Sequence, residues 1–199
     1  VKERSPYTLA ESVFGLGVVT GDNKTKLLDE KIVGSEPIYT GKEVEKFHLA
    51  KVQKYIVFDR SKLQQVAPNE IYRTVPKLVY KTICKELRVA LDDSGSLTTN
   101  SANILIPVVP GYAAEEVMGL LNTRLYSFLH SRLFGGVNKI AKENLKALPI
   151  PELSDAQHEI LRTLVSSAIQ SGSDWELNQF VESEVFGLSE SVSDYLRDE

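Results

Sequence analysis

The chain has a single cysteine in 199 residues, Cys84, so it can form no disulfide within itself and no thiolate zinc cluster. It has three histidines, His48, His130 and His158, and no His-x-x-x-His spacing. A metal site or a catalytic dyad needs two such groups to converge with carboxylates nearby. Each histidine therefore reads as a surface or packing residue, and Cys84 as a buried, inert thiol. No stretch approaches the roughly 18 consecutive apolar residues of a membrane-spanning helix. The N-terminus has no signal-peptide pattern, and no internal repeat or low-complexity tract occurs. The expectation is a cytoplasmic protein without membrane association. The first residue is Val1 rather than Met, so we expect a piece of a longer protein. What is present, 42% hydrophobic and 25% charged residues, excludes disorder, collagen and coiled coil. The length fits one ordinary domain, or a domain with a helical appendage.

The formal net charge is −4 and the isoelectric point about 5.5, which at face value argues against a nucleic-acid partner. The charge is unevenly spread. Residues 1–90 carry 16 Lys and Arg against 11 Asp and Glu, a balance of +5, and residues 91–150 are balanced. Residues 151–199 carry 2 basic and 11 acidic residues, a balance of −9. Such asymmetry often separates a part that meets a polyanion from a part that does not.

Hydrophobic periodicity divides the chain in the same way. Short extended runs at 17–20, 37–40, 55–58 and 78–83 are closed by turn signals such as Gly21-Asp22-Asn23. In the fourth, Leu78, Tyr80 and Thr82 share one face, with Val79, Lys81 and Ile83 on the other. Runs at 87–91 and 103–106 flank Asp92-Asp93-Ser94-Gly95 and read as a pair of strands joined by a long polar connection. Pro76 and Pro107 belong at strand starts, edges or bulges. The later region is helical. Apolar residues from Val117 to Leu133 recur at helical spacing and predict one long helix over 113–134, stopped by Gly135-Gly136. Ser154-x-x-Gln157 and Ser173-x-x-Glu176 read as capping boxes opening two further helices, and Ser189 as the cap of a last short one. The fold class expected is α+β: a twisted β-rich domain with a long packing helix over 1–151, then a small acidic helical bundle over 152–199.

Candidate chemistry is sparse. Gly15 to Gly21 has the look of a phosphate-binding glycine loop, but its first glycines enter an apolar run instead of leaving one, and the spacing misses the dinucleotide fingerprint. Asp92-Asp93 is explained by turn chemistry alone. The polar turn Thr20-Gly21-Asp22-Asn23-Lys24-Thr25-Lys26 carries residue types that read base edges and hold phosphates. Lys51, Lys54, Arg60 and Lys62, then Arg73, Lys77, Lys81, Lys85 and Arg88, supply further cations.

Several segments, in order, resemble the TaqI-like C-terminal specificity domain, the target recognition domain of adenine-specific DNA methyltransferases and fused restriction–modification enzymes. They are Gly17-Val-Val-Thr-Gly-Asp-Asn-Lys24; Tyr39-Thr-Gly-Lys-Glu-Val-Glu-Lys-Phe47; Lys85 to Asp92, leading to Thr98-Thr-Asn-Ser101; Leu120-Leu-Asn-Thr-Arg-Leu125; Leu145-Lys-Ala-Leu-Pro-Ile-Pro151; and Leu177 to Val192, with Phe186-Gly-Leu-Ser-Glu190. The resemblance spans roughly residues 13–196. Type I specificity subunits are similar in the fourth and fifth segments, more loosely.

The resemblance implies a double-stranded DNA recognition domain over 1–151. The parent enzyme would transfer methyl from S-adenosylmethionine to a flipped-out adenine, in an N-terminal methyltransferase domain that this chain lacks. The Asn/Asp-Pro-Pro-Tyr/Phe motif of that chemistry is missing, because the chain has no Pro-Pro, and Asp29-Glu30-Lys31 has no upstream acidic partner of the nuclease type. No cofactor is expected in the chain itself. On this reading Lys24, Lys26, Lys54, Arg60, Lys85 and Arg88 hold phosphates. Thr20, Asp22 and Asn23 in the turn, with Thr98, Asn100 and Asn103, lie where bases are read. The acidic tail would brace the module or pack on the absent domain. A protein-interaction module docking through its acidic C-terminal helices is the alternative, and a small stand-alone enzyme a weaker one.

Overall fold

The fold is that of a computed structural model, and it describes residues 1–136 and 138–198, the side chain of Lys2 excepted. Nine short strands and eight α-helices are described. The strands are β1 (Tyr7–Thr8), β2 (Val13–Gly15), β3 (Glu36–Tyr39), β4 (Lys54–Ile56), β5 (Lys77–Lys81), β6 (Val89–Asp92), β7 (Leu97–Thr98), β8 (Ala102–Ile106) and β9 (Pro149–Ile150). The helices are α1 (Asn23–Lys26), α2 (Asn69–Arg73), α3 (Ala114–Leu121), α4 (Arg124–Leu133), α5 (Lys142–Lys146), α6 (Asp155–Ser171), α7 (Trp175–Gln179) and α8 (Glu190–Asp198). The α+β expectation holds.

The architecture is layered around a four-stranded antiparallel sheet of order β2-β8-β5-β6. Alternation along its strands loads both faces with apolar side chains. Leu78 and Tyr80 of β5, Val89 of β6 and Leu105 of β8 join the helices in the main core, with Val117, Leu121 and Tyr126. Val79, Ala90 and Ala102 face the opposite way, with Val44. Ile104 joins Val18, Ile38, Ile56, Tyr72 and Leu97 in a core beneath a second sheet of order β4-β3-β7. In that sheet β3 pairs antiparallel with β4 and parallel with β7. The expected opposition of Leu78 and Tyr80 to Val79 is therefore realised. Pro76 stands immediately before β5.

Four expectations are corrected. The runs at 87–91 and 103–106 do form strands, but β5 lies between them and pairs with both. The Val18-Val19 run makes only isolated bridges, to Thr99 and Gln65, and the true strand precedes it as β2. The long helix is two, broken at Asn122-Thr123. There the Asn122 carboxamide accepts from Val89 N–H (3.0 Å) and donates to Val89 C=O (2.7 Å), while the Thr123 hydroxyl turns back to Leu120 C=O (2.7 Å). Phe47 N–H also reaches Val89 C=O (2.9 Å), but Val89 N–H would otherwise be a buried unpaired donor, and the helix breaks to satisfy it. Finally, Ser173 caps nothing: α7 begins after Asp174, whose side chain goes to Lys46 (2.9 Å) instead.

The first capping box does form, Gln157 N–H to Ser154 Oγ at 3.3 Å and Ser154 N–H to Gln157 Oε1 at 3.0 Å. Gly172, at φ +73°, stops α6. The acidic C-terminal helices are tied to the β-rich part by two ion pairs and a hydrogen bond. Arg124 forks onto the buried Glu182 (Nη2 to Oε2 2.7 Å), Lys46 meets Asp174, and Arg4 donates to Val185 C=O (3.1 Å). Main-core residues come from both parts of the chain, Leu78 and Leu105 together with Leu161, Leu177 and Val181. Among the described residues, no helix is long and apolar enough to cross a membrane.

Candidate nucleic-acid interface

The turn at 20–26 is built from its own side chains. The Thr20 hydroxyl donates to Asn23 Oδ1 (2.6 Å) and accepts from Asp22 N–H (3.1 Å). Asp22 then caps α1, accepting from Lys24 N–H (3.0 Å) and from the Thr25 hydroxyl (2.8 Å). The Thr25 hydroxyl, more than any other contact, holds the Asp22 carboxyl below the usual carboxylate range. The Lys26 ammonium donates to Thr20 C=O (2.6 Å) and to the Lys62 carbonyl, which pins the turn to the 60–63 segment. Lys24 is left exposed, with no ion-pair partner among the described residues.

A second loop, 40–43, faces this turn. The buried Glu43 carboxylate accepts from Thr40 N–H (2.7 Å) and the Thr40 hydroxyl (2.8 Å), closing the loop around Gly41-Lys42. Gly41 N–H donates to Ser101 Oγ (2.9 Å), and Ser101 Oγ contacts Thr99 Oγ1 (2.8 Å). A Cβ on Gly41 would stand 2.6 Å from the Ser101 carbonyl oxygen, so the loop docks this closely only with glycine there.

Between the two loops lies an open groove of about 420 Å³. Asn23 and Leu27 line one side, Thr40, Lys42, Gln53 and Lys54 another, and Lys81 to Ile83 with Thr99 and Ser101 complete it. Lys42 is exposed and Lys81 half-buried, and neither has an ion-pair partner among the described residues. Lys54 is paired with the exposed Asp29. The groove thus joins free cations to carboxamide and hydroxyl groups on a pinned frame. Cations hold phosphates, and amides and hydroxyls read base edges.

The expected site residues divide. Thr20, Asp22, Asn23, Lys24 and Lys26 share the turn, Lys54 lines the groove, and the exposed Asn100 sits in the same tight turn as Thr99 and Ser101. Arg60 donates to Ala67 C=O (2.9 Å) and braces its own loop. Arg88 is paired with Glu45 at 2.5 Å. Lys85 is exposed on a different and larger groove of about 730 Å³ against α4, α7 and α8. Thr98 is fully buried, so its side chain lies off the surface, and Asn103 Oδ1 is occupied by Gly17 N–H (2.9 Å). Lys77, counted among the cations, is also fully buried, bonded to Asp92. Burial pushes the Asp92 carboxyl up, and the bonds from Lys77 and Ser94 outweigh it, leaving it below the ordinary carboxylate value. Asp92 also accepts from Ser94 N–H (2.9 Å) and Ser96 N–H (3.0 Å), which is the turn role expected of it.

The sequence pointed to Lys81 only as one of several further cations, and to neither Lys42 nor Gln53 as groove residues. Lys42 had a signal, since it lies inside the Tyr39–Phe47 segment. Gln53 had none. The glycine run at 15–21 is structural: Gly15 belongs to β2, and a Cβ on Gly17 would collide with the Thr99 carbonyl. His130 is buried, and burial lowers its imidazole pKa. His158 lies against the buried Glu116 (Nδ1 to Oε1 2.7 Å), and His48 is exposed. Cys84 is half-buried, and burial pushes its thiol up. Among the described residues, no three His, Cys, Asp or Glu side chains group to hold a metal.

Solved structures share this fold. One is the type IIL restriction–modification enzyme MmeI in complex with DNA, with a TM-score of 0.68 at 8% identity over 98% of this chain. Another is a type I restriction–modification assembly, with a TM-score of 0.54 at 14% identity over 96% of this chain. The chain spans 35% and 44% of those two chains. No curated protein matches it. The fold is one that restriction–modification proteins carry. The family model for the TaqI-like C-terminal specificity domain matches residues 36–150, and the chain belongs to that family.

Proposed function

We propose that this chain reads a specific sequence in double-stranded DNA on behalf of a longer enzyme, an adenine-specific methyltransferase with or without nuclease activity. The observation that carries the reading is the groove. Side chains from four separated stretches, Asn23, Lys42, Gln53 and Lys81, meet over a frame locked by Asp22, Glu43 and Ser101. Fixed donors and acceptors beside free cations are what direct readout requires. Asn23 has one amide oxygen committed to Thr20, which orients its remaining donors. Methyl transfer would belong to a separate domain that binds S-adenosylmethionine, and the Pro-Pro of the transfer motif would lie there. The C-terminal helices brace the module through Arg124–Glu182 and Lys46–Asp174.

Selection from a pool of duplexes with a randomised centre tests this. At low salt the chain is expected to enrich one short motif, and Gln53→Ala to relax that motif at one position. Binding with no enrichment, or no binding to any duplex, would overturn the reading.

A further inference from the structure

One wall of the groove runs on past the end of β5. Cys84 N–H donates to Asn138 C=O (2.9 Å) and Ile140 N–H to Thr82 C=O (2.8 Å), so a short antiparallel ladder joins 82–84 to 138–140. Its central pair is Ile83 and Lys139. The two bonds lie on either side of that pair, which makes it a non-hydrogen-bonded one. Such a pair stands about 4.5 Å apart at Cα, with both side chains close together on one face. Ile83 lines the groove and is 68% exposed. Bonds from both of its neighbours hold its backbone, so the aliphatic side chain is presented at a fixed position. A lone exposed aliphatic residue needs no explanation. This one is set into a groove wall beside two cations.

The surrounding charge identifies what covers Ile83. Lys81 lines the same groove, Lys139 is exposed, and neither has an ion-pair partner among the described residues. The acids nearest to them in the chain are engaged elsewhere, Glu86 with Lys46 (3.6 Å) and Glu143 with Lys142 (3.7 Å). The carboxylate on the groove itself, Glu43, is turned into Thr40. An apolar protein surface laid over Ile83 would strip water from both ammonium groups without compensating them. A polyanion compensates both. What a duplex offers an aliphatic side chain in its major groove is the C5-methyl of thymine, and a groove wall meets a base at that edge.

We propose that Ile83 packs on a thymine methyl of the bound duplex while Lys81 and Lys139 hold nearby phosphates; this rests on the DNA-reading function proposed above. The 138–140 segment thereby joins the interface. The test uses the duplex that the 199-residue chain enriches from the randomised pool, titrated with uracil in place of each thymine in turn. Uracil lacks only the methyl. At one position the wild type is expected to lose affinity about fivefold, the size of one buried methyl. Ile83→Ser leaves the ladder bonds in place and should unfold at the wild-type urea concentration. It is expected to bind the thymine duplex about fivefold more weakly, with no further loss to uracil at that position, because the two changes remove one contact. Its salt slope should match the wild type, whereas Lys139→Ala should be shallower by about 1. The proposal is overturned by a motif of G·C pairs alone, by no uracil effect at any thymine, or by a uracil effect that Ile83→Ser leaves intact everywhere. An unchanged slope in Lys139→Ala overturns it as well. A wild type that enriches no motif overturns the DNA reading itself.

Discussion

Asn122 joins the two halves of the core with one side chain. Its carboxamide gives Val89 of β6 both an acceptor and a donor, as a neighbouring strand would, and it is wholly buried. Removing it strands Val89 N–H away from water at a cost of roughly 1–3 kcal/mol, while Val89 C=O keeps the bond from Phe47 N–H (2.9 Å). Asn122→Ala is therefore expected to lower stability by about 1–3 kcal/mol in urea unfolding. Asn122→Asp should be destabilised as well, since it keeps the acceptor and loses the donor. A change below about 0.5 kcal/mol, the range of an ordinary surface substitution, would mean that β6 finds another partner. The sequence signalled this residue only through resemblance. By periodicity alone Asn122 is one polar residue in a helical stretch, and nothing local says that it faces a strand 33 positions away. Phe47 is similar: its left-handed backbone (φ +71°) is held by bonds across to β6, and no turn signal marks it.

Helices whose ends are set by near neighbours were readable, and those set by distant contacts were not. The Ser154–Gln157 box opens α6 as expected, and Gly172 stops it, because cap and stop lie within a few residues of the helix. Helix α4, by contrast, receives its cap from afar, as Arg124 N–H donates to Asn178 Oδ1 (2.8 Å). The same junction carries the Arg124–Glu182 fork, with Glu182 almost completely buried. Cutting one partner of a buried pair leaves the other charge without compensation, at a cost of about 3–5 kcal/mol. Arg124→Ala should therefore destabilise the chain by about that much, and hydrogen exchange should quicken first across 175–186. Exchange that quickens equally throughout the chain would show that α7 and its continuation have no separate hold on the scaffold.

For the whole molecule, composition alone misleads, because a balance of −9 beyond residue 150 hides +5 before residue 91. The fold explains the split. Some of the tail's acids are spent on Arg124 and Lys46 as bracing, while Lys24, Lys42 and Lys81 have no ion-pair partner among the described residues at the turn and the groove. About half of the candidate site was legible. The turn at 20–26 stands out because its polar residues are consecutive. The groove does not, because the sheet order brings 40–43, 53–54 and 99–101 together only in three dimensions. Cation counting also failed at Lys77, a lysine whose charge is buried with Asp92.

The central claim is that this basic groove holds a DNA backbone, and the salt dependence of duplex binding tests it most directly. Each phosphate neutralised contributes about −0.9 to the slope of log affinity against log salt. The account predicts a steep negative slope for the wild type. It also predicts a slope shallower by about 1 in each of Lys42→Ala and Lys81→Ala. A flat wild-type slope, or one that the Lys42 and Lys81 substitutions leave as it was, would contradict it.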